Sequence, residues 1–185
     1  VPSPLRRIAA GIVLHRIHRR IHDPLYFGPA GAAPEQRYDS PDGSFKTLYL
    51  ARSLETAFGE TLVRLPTIPF VLSTDLDLRC RSELVTTRAL RLFPLIDAGV
   101  SGLGLSFTEL HGSAYARTWE VSGKIHGETK ADGIFYTSRF DNMPCIALFD
   151  RARDAVAETS VKALSIPPEQ AEALCNHFGK TYVEP

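Results

Sequence analysis

Arg16, Arg37, Glu60 and the pair Ser138-Arg139 are the residues of this 185-residue chain whose types and settings could do chemistry. Arginine offers a planar fork of donors that grips a phosphate or carboxylate through two parallel hydrogen bonds, a geometry lysine lacks. Arg16 stands in the apolar run Ile12-Val13-Leu14-His15-Arg16-Ile17, where it either finishes a strand edge, pairs with a carboxylate, or holds an anion. Glu60 follows the apolar stripe of Leu54, Phe58 and Leu62. At about 100° per residue it points well away from that stripe, so it is either a solvated surface carboxylate or a group facing something outside the helix's own core. Ser138 has no GxSxG elbow around it and no identifiable His or Lys base, which argues against a covalent nucleophile. His15, His18 and His22 crowd with Arg16, Arg19 and Arg20, but a strand followed by a loop does not gather three imidazoles on one side, and neighbouring guanidinium groups repel a cation. No metal site is expected.

The elements that must position these groups read as follows. Ser40-Pro41-Asp42-Gly43 is a turn, since Pro presets φ and Gly tolerates the left-handed region. An apolar strand over 47–51 leads to Ser53, a good N-cap, and a helix carrying Leu54, Ala57, Phe58, Leu62 and Leu65 at helical spacing. Pro66 and Pro69 break it, and a strand is predicted over 70–76. Residues 82–96 fit neither period, and 99–104 read as a turn whose glycines lack the βαβ setting of a phosphate-binding loop. The spacing predicts a helix over 111–128, packed by the face of Tyr115, Trp119, Ser122 and His126, with Trp119 and His126 as core residues. Residues 134–137 form a strand delivering Ser138 and Arg139, and 145–149 form its hairpin mate across Asn142-Met143-Pro144. An edge strand over 155–164 and a helix over 167–179, with Gly179 at its C-cap, complete the chain. Residues 1–10 read as a loose arm and 23–34 as a Pro/Gly/Ala-rich loop.

In order, LHRIH around Arg16, Arg37, LYLARSLETAFGE ending at Glu60, DGIFYTSR containing Ser138, and CIALF resemble the RES domain, a family named for its Arg, Glu and Ser. The resemblance implies a bacterial toxin of a toxin-antitoxin pair, with a fold related to ADP-ribosyltransferases and NAD⁺ as its substrate, with no prosthetic group. It implies Glu60, Arg37 and Ser138 as catalytic residues, with Tyr49, Arg16 and Arg139 binding substrate. Arg16 and Arg37 compete for the role of phosphate clamp. The Tyr49 ring either stacks on the nicotinamide or is a core tyrosine with a satisfied hydroxyl. Ser138 is expected to hydrogen-bond a ribose hydroxyl or the carboxamide. The loop over 23–34 would border the pocket. The acceptor of the ADP-ribosyl group is water, phosphate or a protein; a non-catalytic interaction module on the same fold is the reading from another class. A DNA-binding, Xre-type antitoxin is the implied partner, commonly within a larger oligomer, and an immunity protein would replace it if the chain were the toxic domain of a secreted effector.

Bulk properties fit this frame. With 44% hydrophobic residues the chain can close a core as a single domain over 1–185. Lys and Arg total 21, equal to Asp and Glu, so no overall basic field recommends nucleic acid as a partner. Cys80, Cys145 and Cys175 are widely spaced and read as buried thiols, and no apolar run approaches the roughly 18 residues of a membrane span. Cytoplasmic action is expected. The hairpin over 134–149 and the lack of regular βα alternation predict an α+β fold: a twisted, mostly antiparallel sheet, split around a cleft and flanked by helices.

Overall fold

The computed structural model describes residues 5–29 and 31–185. Among the described residues the strands are β1 (Arg6–Ile8), β2 (Val13–Arg19), β3 (Thr47–Ala51), β4 (Phe70–Leu72), β5 (Arg79–Thr86), β6 (Leu90–Pro94), β7 (Gly133–Thr137), β8 (Pro144–Phe149), β9 (Val156–Glu158) and β10 (Thr181–Val183). Between them lie α1 (Leu54–Leu62), α2 (Ser73–Asp77), α3 (Ala98–Ser101), α4 (Phe107–His111), α5 (Ala116–Glu128) and α6 (Pro168–His177).

Eight strands make one sheet in the order β1-β6-β7-β8-β3-β2-β5-β9, antiparallel except for β6 beside β7; β4 and β10 form a separate parallel pair. The sheet is nearly cut in two at its middle. β2 runs seven register pairs along β5 and β3 runs five along β8, yet β2 meets β3 only where His15 faces Ala51. That opening matches the expected sheet split around a cleft.

Alternation along the strands divides the core between two faces. Cys145, Ala147 and Phe149 of β8 join Ala57 and Phe58 of α1, Val121 and Ile125 of α5, and Leu174 of α6 on one side. Ile146 and Leu148 join Leu14, Leu50, Leu84, Leu92 and Phe135 on the other. α1 begins as its sequence dictates, with the Ser53 hydroxyl accepting from the Thr56 N–H.

Several expectations need correction. The edge strand predicted over 155–164 is only β9, the segment read as a turn over 99–104 begins inside α3, and α1 stops at Leu62, which leaves Leu65 exposed beyond it. Residues 1–10 are not a loose arm throughout: Arg6–Ile8 pair with Leu90–Leu92, and the Arg6 guanidinium lies 4.0 Å over the Phe135 ring, while residues 1–4 fall outside the described residues. The strand predicted over 70–76 stops at Leu72, because its partner β10 is only three residues long, and 73–77 turn into α2. Residues 82–96 resolve into β5 and β6; the inward positions of β5 are Cys80, Ser82, Leu84 and Thr86, whose polar members hide the alternation. The helix predicted over 111–128 is α4 and α5, parted at extended Gly112, and α5 buries Thr118, Val121, Ser122 and Ile125 instead of an aromatic stripe. Trp119 and His126 are half-buried flanks: the indole N–H donates to the Gln36 carbonyl at 2.8 Å and the imidazole stacks on Phe45 at 4.1 Å.

Candidate active site

A cleft of about 540 Å³ opens between β2 and β3 and runs under α1. From α1 and the residues just after it, Ala57, Glu60, Thr61 and Arg64 line the wall, the i, i+3, i+4, i+7 positions that share a helix face. Glu60 is therefore not a solvated surface carboxylate. It is half-buried, and burial raises its pKa; the Ser138 hydroxyl, the Arg37 and Arg139 charges and the Arg139 backbone N–H all oppose that rise. The carboxylate is thus desolvated but surrounded by groups that favour its charge.

Arg37 and Arg139 both line the cleft and are tied to the same segment. Arg37 donates to the carbonyls of Leu110 and Gly112, the latter at 3.0 Å, and lies 4.8 Å over the Tyr115 ring. Arg139 donates to the His111 carbonyl at 3.4 Å and the Arg64 carbonyl at 3.2 Å. Arg16 is also in the lining, but its guanidinium bonds the carbonyls of Pro24 and Tyr26 in the 23–29 loop, and burial pushes its pKa down to about 10. In this geometry Arg16 fastens the loop that borders the cleft, whereas Arg37 stands near Glu60.

Tyr49 projects from β3 into the lining with its hydroxyl fully used, accepting from the Tyr38 N–H at 2.7 Å and donating to Asp39 at 3.0 Å. Burial raises its pKa well above 10. A satisfied hydroxyl and a cleft-facing ring occur together here. Ser138 is placed differently from expectation. It is 1% exposed, does not line the cleft, and its hydroxyl accepts from the Phe140 N–H at 3.1 Å while standing beside the Glu60 carboxylate.

His15, His18 and His22 also line the cleft, each with its own partner. His18 is buried, bonded to the Ser82 hydroxyl at 2.9 Å; His15 lies 3.8 Å from Glu83; His22 stacks on Tyr26. All three cysteines are free and buried, and burial with the Glu60 charge raises the Cys145 thiol far out of the reactive range. Sequence reasoning missed Asp39, Arg64, Arg79 and Tyr115. Arg64 was findable, four residues beyond Glu60; Arg79 was not, because the polar inward positions of β5 conceal its strand.

The whole fold has a counterpart among solved structures. A chain of the crystal structure of the M. tuberculosis MbcT-MbcA toxin-antitoxin complex superposes with a TM-score of 0.71 at 14% sequence identity, covering 94% of this chain and 91% of that one. At that identity the likeness establishes the fold. No curated protein matches the chain. The model of the RES domain family matches residues 13–169, from the start of β2 into α6, and the chain belongs to that family.

Proposed function

We propose that the cleft cleaves NAD⁺ at the bond between nicotinamide and ribose, and that the protein acts as a toxin by depleting NAD⁺. The observation that carries this reading is the Glu60 carboxylate held ionisable in a desolvated cleft wall beside Arg37 and Arg139. Seven Lys or Arg and three Asp or Glu line the cleft of a chain with no net charge, which suits an anionic ligand.

In the reaction the C1′–N bond breaks with its electron pair going to nicotinamide, which leaves neutral. Little acid catalysis is needed, because the ring carries positive charge beforehand. The ribose passes through an oxocarbenium-like state that the Glu60 carboxylate stabilises and orients, as carboxylates do in glycoside cleavage. An oxygen of water or inorganic phosphate then bonds C1′ and loses its proton to solvent. The Tyr49 ring, fixed by Tyr38 and Asp39, offers a face to the cationic nicotinamide. Ser138 acts behind Glu60 as a positioning residue. NAD⁺ is a substrate here, with no prosthetic group required.

The partner follows from the same reading: an antitoxin that covers the cleft, as befits a fold shared with a chain of a toxin-antitoxin complex, with action in the cytoplasm. An immunity protein would take its place for a secreted effector. Purified protein incubated with NAD⁺, with and without inorganic phosphate, tests the activity by chromatography of the products. Free ADP-ribose or its phosphorylated form is expected from wild type. Glu60→Gln should lower turnover by about 100-fold or more with NAD⁺ binding retained, and Ser138→Ala by less. Label transferred to a protein instead would make this an ADP-ribosyltransferase, and no loss of NAD⁺ from folded protein would leave a binding module.

A further inference from the structure

Arg16, Arg37 and Arg139 spend donors on main-chain carbonyls, so the cleft's unsatisfied cations lie elsewhere. Arg19 and Arg79 are direct partners in the β2–β5 ladder, a register that sets like charges opposite each other at a cost in stability. Neither forms an ion pair within 4.0 Å among the described residues, and the Arg79 Nε is buried without any hydrogen-bond partner. Arg64, just past α1, donates from Nη2 to Gln36 Oε1 at 3.1 Å. Burial and then the charges of Arg19 and Arg64 push the Arg79 guanidinium below its usual range, and only Asp75 opposes them. All three arginines line the cleft. An arrangement that is unfavourable for the protein alone becomes favourable when a polyvalent anion enters it.

We propose that Arg79, with Arg19 beside it and Arg64 facing them, forms a phosphate subsite of the cleft. Arg64 stands four residues beyond Glu60, just past the end of α1, and lines the same cleft. The subsite rests on the reading of the cleft as NAD⁺-cleaving. Its phosphate comes either from the diphosphate bridge of the substrate or from inorganic phosphate as the second reactant.

Thermal unfolding of the full chain with pyrophosphate, and separately with inorganic phosphate, tests the subsite without turnover. Without anion, Arg79→Gln is expected to melt at or above the wild-type temperature, because a like-charge contact has gone. Pyrophosphate should raise the wild-type Tm, bind at least about tenfold more weakly to Arg79→Gln, less weakened to Arg79→Lys, and unchanged to Arg117→Gln on the exposed face of α5. A lower Tm for Arg79→Gln without anion, together with wild-type pyrophosphate affinity, would make Arg79 a structural residue and overturn the proposal. Steady-state kinetics separate the sources: a raised KM for NAD⁺ assigns the subsite to the substrate's diphosphate, and a raised KM for inorganic phosphate alone assigns it to the acceptor. Wild-type protein that shifts with pyrophosphate through Arg79 but consumes no NAD⁺ keeps the subsite and removes the NAD⁺-cleaving reading.

Discussion

The Glu60 carboxylate sits where an ionised group is costly, with its raised pKa set by burial against the help of Ser138, Arg37 and Arg139. A carboxyl whose folded pKa lies above its unfolded value keeps its proton longer in the folded state. Its contribution to stability is then fully present below the ordinary carboxylate pKa and is lost as pH rises through the folded one. Glu60→Gln, neutral at every pH and of similar shape, should therefore melt higher than wild type at neutral pH, with the difference vanishing in acid. Tm measured against pH for the two proteins checks this; a variant less stable than wild type at neutral pH would mean that the ion pairing outweighs burial. The same burial was hidden from sequence reasoning. Periodicity shows correctly that Glu60 faces away from the Leu54-Phe58-Leu62 stripe, but whether that direction holds solvent or a cleft depends on β2 and β3, which are distant in sequence.

At the scale of elements, two pieces carry the site: α1 with Glu60, and the β7–β8 hairpin with Ser138 and Arg139. They are joined by a hydrogen bond from the Thr56 hydroxyl to Asp141 Oδ2 at 2.7 Å, with Thr56 fully buried one turn before Glu60 on α1. Asp141 in turn accepts from the Met143 N–H through its other oxygen, which fixes the hairpin loop. Thr56→Val should cost about 1 kcal/mol in urea unfolding, lower kcat more than it raises KM, and move the acid limb of the pH profile upward as Ser138 drifts from Glu60. Thr56→Ser, which keeps the hydroxyl, should restore both; an unmoved limb in Thr56→Val would show that the bond holds the fold and not the carboxylate. These elements were largely legible. The N-cap at Ser53, the strand over 47–51 and the hairpin follow from local patterns, and each forms as read. The long-range bond did not show, because nothing local marks Thr56 and Asp141 as partners across 85 residues. Ser138 shows the same limit: its motif was found, but its burial behind Glu60 depends on the packing of α1 against the hairpin.

For the whole molecule, the site is a consequence of a sheet that fails to close. β2 and β3 carry Arg16, Arg19 and Tyr49 to the edges of the opening, α1 lines it, and Arg37 and Arg139 fasten the carbonyls of Gly112 and His111 where α4 ends. A neutral chain thereby gathers seven Lys or Arg in the lining of one cleft beside Glu60, the charge pattern on which the proposed anionic substrate relies. The central claim is that Glu60 faces the bond that breaks. A crystal structure of Glu60→Gln with NAD⁺ bound measures it directly. The expected result is a dinucleotide in the cleft with the nicotinamide-bearing ribose carbon within about 4 Å of the residue 60 side chain, near the reach of reacting groups in productive complexes. A dinucleotide whose nicotinamide ribose lies outside the cleft, or a cleft that stays empty at saturating NAD⁺, would contradict it.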